Sequence, residues 1–176
     1  MEVAKGSLLE RQAYDYFRTR FTTVCREYNI PGSGNNWRYD FGVRFGGKDY
    51  LVEIDGGYHF LECGRTEGDL MNSNQRDSDK TILALERGFN VVRIHYEDML
   101  EFISHFDKAL ASTHPLYLSR KEAYAYLFEH NKERYEAYMT SLLRRYAGEL
   151  NDLFPSPSFS GKEFGSVLES TLTSIT

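Results

Sequence analysis

Trp37-Arg-Tyr-Asp-Phe-Gly-Val-Arg-Phe-Gly-Gly-Lys-Asp-Tyr-Leu-Val-Glu-Ile-Asp-Gly-Gly-Tyr-His-Phe60 decides the fold. Tyr39, Phe41, Val43 and Phe45 alternate with Asp40, Gly42 and Arg44, and Tyr50, Val52 and Ile54 alternate with Leu51, Glu53 and Asp55. This two-residue period predicts two strands, each with an apolar row on one face. Gly46-Gly47 between them accepts the positive φ values of a tight two-residue turn. If Phe45 faces Lys48, Asp40 falls opposite Glu53 and Arg38 opposite Asp55, and opposed Cβ atoms lie roughly 4.5–5.5 Å apart. Asp40, Glu53 and Asp55 are therefore expected on one face.

Two carboxylates about 5 Å apart repel by about 3 kcal/mol at an effective dielectric of about 20. Arg38 would offset part of this and a divalent cation more. One reading of the cluster is a solvated polar face that keeps an edge hairpin soluble. The other is a hard-cation site, since Mg²⁺ and Mn²⁺ select carboxylate, carbonyl and water oxygens. The sequel favours the second: Gly56-Gly57 ends the strand and brings His59 within reach, and an imidazole beside such a site is a candidate general acid or base.

In order, the chain carries a helix with an early Glu10, a strand with Asp40, a strand reading Glu53-Ile-Asp55-Gly-Gly-Tyr-His59, Gln75-Arg76-Asp77-Ser-Asp79-Lys80 leading a helix, and Arg87-Gly-Phe-Asn-Val-Val-Arg93-Ile94. This ordered set, over about residues 7 to 105, resembles the PD-(D/E)xK restriction-endonuclease-like nucleases, and most of all their very-short-patch-repair-like branch. The resemblance implies an α/β fold: a restriction-endonuclease-like core with a mixed central β-sheet flanked by helices. It implies metal ligation by Asp40 and Glu53, with Asp55 standing where the superfamily usually has its catalytic lysine and joining the ligands. His59 would take over proton transfer or polarise the phosphate, and Glu10 would join the catalytic set. Arg76, Asp77 and Lys80 match the polar start of the following helix, and Arg76 and Lys80, with Arg38, would hold phosphate or DNA. Mg²⁺ is the implied cofactor, with Mn²⁺ as a substitute, and DNA the implied partner, double-stranded or branched in preference to RNA. Phosphodiester hydrolysis calls for such a set: an activated water, neutralised phosphoryl oxygens and a stabilised leaving oxygen.

Composition bounds these expectations. The 176 residues suffice for one domain with a proper core, or one domain with an appendage. No run of 18 apolar positions predicts a membrane span, and Met1-Glu-Val-Ala-Lys-Gly-Ser7 lacks the apolar core of a signal peptide. Cys25 and Cys63 are too few and too isolated for a disulfide framework or a zinc site, so reduced thiols and an intracellular location are expected. A net charge of −5 speaks against sequence-blind DNA binding through many cations. Any DNA contact then depends on local patches, for which Arg11, Arg18, Arg20, Arg26, Arg38, Arg44, Arg144 and Arg145 are candidates, although each also suits a solvated surface.

Leu9, Ala13, Tyr14, Phe17, Phe21 and Val24 recur at helical spacing after Ser7, predicting a helix over 7–28 that ends before Pro31-Gly32-Ser33-Gly34. Glu10 on its first turn is also explained by the helix dipole alone. Residues 56–72 read as a long loop, taken as a flap over the metal site. A helix over 73–87 ending at Gly88 and a buried strand over 90–96 follow, and the passage strand, helix, strand predicts that this strand runs parallel to its predecessor. His95 at its end reads as structural.

The domain plan is a nuclease-like core over 1–105, a C-terminal helical extension over 106–154 and a weakly ordered tail over 155–176. After about Asp98, Met99–Ala111 reads as a helix, Pro115 breaks it, and Ser119-Arg-Lys-Glu122 reads as a capping box opening a run to about Phe154. Tyr124, Phe128, Tyr135, Tyr138 and Tyr146 form a stripe expected to be buried, with base stacking or a homodimer contact as the functional alternatives. The leading expectation is a metal-dependent endonuclease that cleaves or nicks DNA. The others are a nucleic-acid-binding module with a degenerate site, a metal-dependent phosphoesterase of another substrate, and a structural protein whose acids are incidental.

Overall fold

Gly46 and Gly47 take φ values of 56° and 78°, the left-handed conformations that close a two-residue hairpin. The hairpin joins β2 (Arg38–Phe45) to β3 (Lys48–Asp55), with Phe45 opposite Lys48 and Phe41 opposite Val52, the register the turn predicts. In the computed structural model, which describes residues 8–31, 33 and 37–153, these strands form the middle of a five-stranded mixed sheet of order β1-β2-β3-β4-β5. β1 (Val24–Asn29) pairs antiparallel with β2, while β4 (Asn90–His95) and β5 (Leu116–Leu118) continue parallel from β3. The fold is α/β, with helices on both faces of the sheet. The expected tail over 155–176 lies outside the described residues.

Alternation along the strands builds two cores. On one face Phe41, Val43, Tyr50, Val52, Ile54, Val92 and Ile94 pack with Ala13, Phe17 and Phe21 of the N-terminal segment, which includes α1 (Leu8–Arg20), and with Phe102, Phe106 and Ala109 of α3 (Phe102–Ala111). On the other, Tyr39, Leu51 and Val91 pack with Ile82, Ala84 and Leu85 of α2 (Glu67–Glu86), with Tyr124, and with Leu127 of α4 (Ala125–His130). Each buried Leu, Ile, Val or Phe contributes about 1.5–3 kcal/mol. Glu53, Asp55 and Arg93 fall on the α2 face by the same alternation, at the carboxyl ends of the parallel strands, where open α/β sheets present their sites.

The first predicted helix is shorter than expected. α1 ends at Arg20, and Val24–Asn29 is an edge strand. The helical spacing of Phe17, Phe21 and Val24 continues by coincidence across Thr22-Thr23, whose branched side chains favour the extended backbone. The loop over 56–72 also shrinks. A 3₁₀ turn at Gly57–His59 follows β3, and α2 starts at Glu67, six residues earlier than predicted, because Thr66 and Asp69 form a capping box. The box read at Ser119 does not form: the Ser119 hydroxyl donates to Asp98 and accepts from the His95 amide instead. The helical run that it was to open is divided into a 3₁₀ turn (Lys121–Tyr124), α4 and α5 (Lys132–Leu153). β5 lies inside the stretch read as a helical extension.

The chain divides into two contact units, residues 1–138 and 139–176, with α5 crossing from one to the other. Tyr124, Phe128, Tyr135 and Tyr138 of the aromatic stripe pack in the second core. No described helix is long and apolar enough to cross a membrane.

Candidate active site

β1 and β2 change faces at one level. Phe41 belongs to the first core and Tyr39, two residues away, to the second; Val24 packs on the first and Tyr28 on the second. In β1 the reversal is made at Glu27, whose φ is 48°. Asp40 sits at the matching level of β2, where the β2–β3 ladder has ended, and its Oδ2 accepts the Ile54 amide at 2.7 Å. The two strands fork here.

The fork gathers Glu10, Asp40, Glu53 and Lys80. Burial, the field of Glu53 and that of Glu10 push the Asp40 carboxyl up to about 8, against the opposing Ile54 amide and Lys80. Glu53 is buried, and its carboxyl is also raised, by burial first, with Lys80 and Arg93 pulling it back. Lys80 Nζ, from α2, donates to both Glu53 oxygens at 2.7 Å and to the Arg38 carbonyl, and lies 4.2 Å from the centroid of the Tyr39 ring. Its ammonium is held by three groups.

Asp55 does not lie beside Arg38 as the register had implied. Its side chain is fully buried, Arg93 Nη2 donates to Oδ1 at 2.6 Å and Nε to Oδ2 at 2.9 Å, and the Tyr124 hydroxyl donates to Oδ2 at 2.8 Å. Arg93 Nη1 donates to Thr81 Oγ1, and Nη2 is 3.4 Å from Asp77 Oδ2. His59 Nδ1 lies 2.6 Å from Asp77 Oδ2 and 3.5 Å from Asp55 Oδ1. An ionised carboxylate can only accept, so Nδ1 carries the proton and Nε2 is the ring atom left to exchange one. Burial would lower the His59 pKa, but the bond to Asp77 and the fields of Asp55 and Asp77 outweigh it and raise it. Burial would likewise raise Asp77, yet Arg93 and then His59 hold it well below the usual carboxylate range.

Asp55, His59 and Asp77 offer ligand atoms within 4.8 Å of one another, the one such trio among the described residues. That spacing suits a metal, but the trio does not fit one as built. Both Asp55 oxygens are taken by a buried guanidinium, which a cation would have to displace. The fork offers carboxylate oxygens, the donors that a hard divalent ion selects, with three acids facing one ammonium, but Lys80 holds both Glu53 oxygens there as Arg93 holds those of Asp55. Glu10, Asp40, Glu53 and Lys80 are thus brought together, and Asp55 and His59 form a second, adjoining group. Arg38 pairs with Glu27 at 2.7 Å, and Arg76 is exposed on α2.

Arg93, Tyr124 and Tyr126 escaped the sequence reading as site residues, and Asp77 was read only as part of the polar start of α2. For Arg93 a signal existed: a cation inside Val91-Val92-Arg93-Ile94 is a charge in a buried strand and demands partners. Tyr124 looked like any other member of a core stripe. No protein-family model, curated protein or solved structure matches the chain.

Proposed function

We propose that this protein is a metal-dependent endonuclease of the restriction-endonuclease-like type, hydrolysing DNA phosphodiester bonds at the β2–β3 fork. The observation that carries this reading is the acid, acid and lysine set of Asp40, Glu53 and Lys80, with Nζ on both Glu53 oxygens. The wider superfamily usually has such a lysine two residues after the strand acid, where Asp55 stands here; α2 brings an ammonium to the Glu53 carboxylate from another element. The order helix, strand, strand, helix, strand that underlies the resemblance is also the order in which Glu10, Asp40, Glu53, Lys80 and Arg93 are carried.

Asp40 and Glu53 would hold Mg²⁺ or Mn²⁺, which when bound supplies neutralisation of phosphoryl charge and an acidified water. Lys80 orients Glu53 and adds a positive charge beside the phosphate. His59, whose side chain is 26% exposed, exchanges a proton at Nε2 while Asp77 fixes Nδ1. Asp55 serves the site by holding Arg93, which in turn faces Asp77. The reading of a DNA-binding module with a degenerate site draws on the missing lysine at position 55; the Lys80 ammonium on Glu53 supports the active enzyme instead.

The test is incubation of supercoiled plasmid, single-stranded DNA and RNA with Mg²⁺, Mn²⁺ or EDTA. Nicked or linear DNA is expected with metal, none with EDTA, and none from Asp40→Asn. Cleavage that survives EDTA or Asp40→Asn, or no cleavage under any condition, contradicts the proposal.

A further inference from the structure

We propose that Tyr126, carried by α4 beyond the fifth strand, is a positioning residue for the His59–Asp77 pair. The inference rests on the proposed endonuclease reading for its kinetic consequence, not for its geometry. Tyr126 touches the pair from two sides. Its hydroxyl donates to Asp77 Oδ2 at 3.4 Å, the same oxygen that accepts His59 Nδ1 at 2.6 Å. Its ring meets Phe60 edge-on, with centroids 6.4 Å apart, and Phe60 directly follows His59 in the chain. One side chain therefore braces both the acceptor of the imidazole and the turn that carries it.

α4 is itself fixed against α2, which makes the brace stiff. Ser78 donates to the Leu127 carbonyl, and Asn131 Nδ2 donates to Ser78 Oγ and Asp79 Oδ1 at 2.8 Å each. Ser78 and Asp79 are the two residues after Asp77, so α4 is tied to the stretch of α2 that presents the carboxylate. Tyr124, two residues before Tyr126, donates to Asp55 in the same manner. Burial, against the opposing Arg93, raises the Tyr126 phenol and keeps it a donor. The segment after β5 thus completes a group whose other members come from β3, the Gly57–His59 turn, α2 and β4. A phenol at this place fixes which Asp77 lone pair the imidazole uses, and so fixes the direction of Nε2.

The test uses the full chain and reads His59 itself. Long-range ¹H–¹⁵N NMR of the imidazole, at a pH where the ring is neutral, should give a single Nδ1–H tautomer in the wild type. Tyr126→Phe, which keeps the ring, should shift the ¹⁵N signals toward a mixture with the Nε2–H form, and Asp77→Asn should do so more strongly. The single-turnover rate of Tyr126→Phe should fall about three- to tenfold, the net worth of one ordinary hydrogen bond and in keeping with the length of this one, with KM for DNA unchanged. Tyr126→Leu separates hydroxyl from ring. Unchanged ¹⁵N signals in Tyr126→Phe overturn the proposal, as does a change seen only in Tyr126→Leu, which would assign the effect to ring packing. Should the protein cleave no nucleic acid, the endonuclease reading fails, while the tautomer measurement still decides the role of Tyr126.

Discussion

Glu53 and Asp55 stand two residues apart on one face of β3, yet their surroundings are balanced in opposite ways. Around Glu53, three carboxyl groups meet the single ammonium of Lys80, and the Asp40 carboxyl is pushed up to about 8. Around Asp55, the Arg93 guanidinium spans two carboxylates, and His59 and two phenols satisfy what remains. The first group gathers more acids than its one ammonium can keep ionised, so that Asp40 keeps its proton; the second is complete. A site that binds a metal reversibly needs the first condition, and a residue that must hold a fixed direction needs the second. In the proposed enzyme the fork and the adjoining pocket of contacts around Asp55 would divide the chemistry between them.

The largest effect should come from His59, the half-buried member of the second group. His59→Ala is expected to lower the single-turnover rate about 10²- to 10⁴-fold, the usual worth of general acid–base help, with Mn²⁺ affinity unchanged. A normal rate would make His59 an ordinary turn residue, and lost Mn²⁺ affinity would place the metal in the pocket.

Arg93→Leu tests completeness as stability. Removing one partner of a buried ion pair costs about 3–5 kcal/mol, so urea unfolding should show a loss of that order. Arg93→Leu combined with Asp55→Leu should recover much of it, because the stranded charge goes too. A single variant as stable as the wild type would show that Asp55 does not depend on Arg93.

pH separates the groups by sign. The folded Asp40 binds its proton up to about 8, against 3.8 for the ordinary group, so its contribution to stability is full below about 4 and is lost as pH rises toward 8, by at most about 1.4 kcal/mol per unit. Asp77 is shifted the other way, so its contribution is present above the ordinary carboxylate range and is lost as pH falls through and below it. Asp40→Asn should flatten the first slope and leave the metal-free protein more stable near pH 8. Asp77→Asn should flatten only the acid limb. Identical pH–stability curves for wild type and Asp40→Asn would mean that the fork carries no unmet charge.

The smallest effect concerns the face change that opens the fork. Glu27 is held in the left-handed region at a cost of about 1–2 kcal/mol, so Glu27→Gly should gain up to about that much, less what the Arg38 pair contributes. A clear loss of stability would show that the Arg38 pair outweighs the backbone conformation.

The hairpin was legible in the sequence because its information is local: a two-residue period and Gly46-Gly47 set the register as far as Phe41 and Val52. The fork was not, since Asp40 lies past the end of that ladder and Tyr39 leaves the face on which its alternation with Phe41 had placed it. The pocket was only half legible, because its contacts join residues far apart: Asp55 meets Arg93 over 38 positions and Tyr124 over 69. No period encodes such pairs, and the charge of Arg93 inside an apolar strand was the one visible trace. Among the elements, β5 is three residues long, too short for a period to be read, and β1 was hidden by apolar spacing that happens to suit a helix as well. Lys80 was visible as a cation but not as the partner of Glu53, since it reaches the sheet from α2.

Calorimetric titration of Mn²⁺ into the wild type, Asp40→Asn and Asp77→Asn tests the division of labour most directly. The account predicts binding to the wild type and to Asp77→Asn with similar affinity, and none to Asp40→Asn. Binding that survives Asp40→Asn and is lost in Asp77→Asn would place the metal among Asp55, His59 and Asp77 and contradict it.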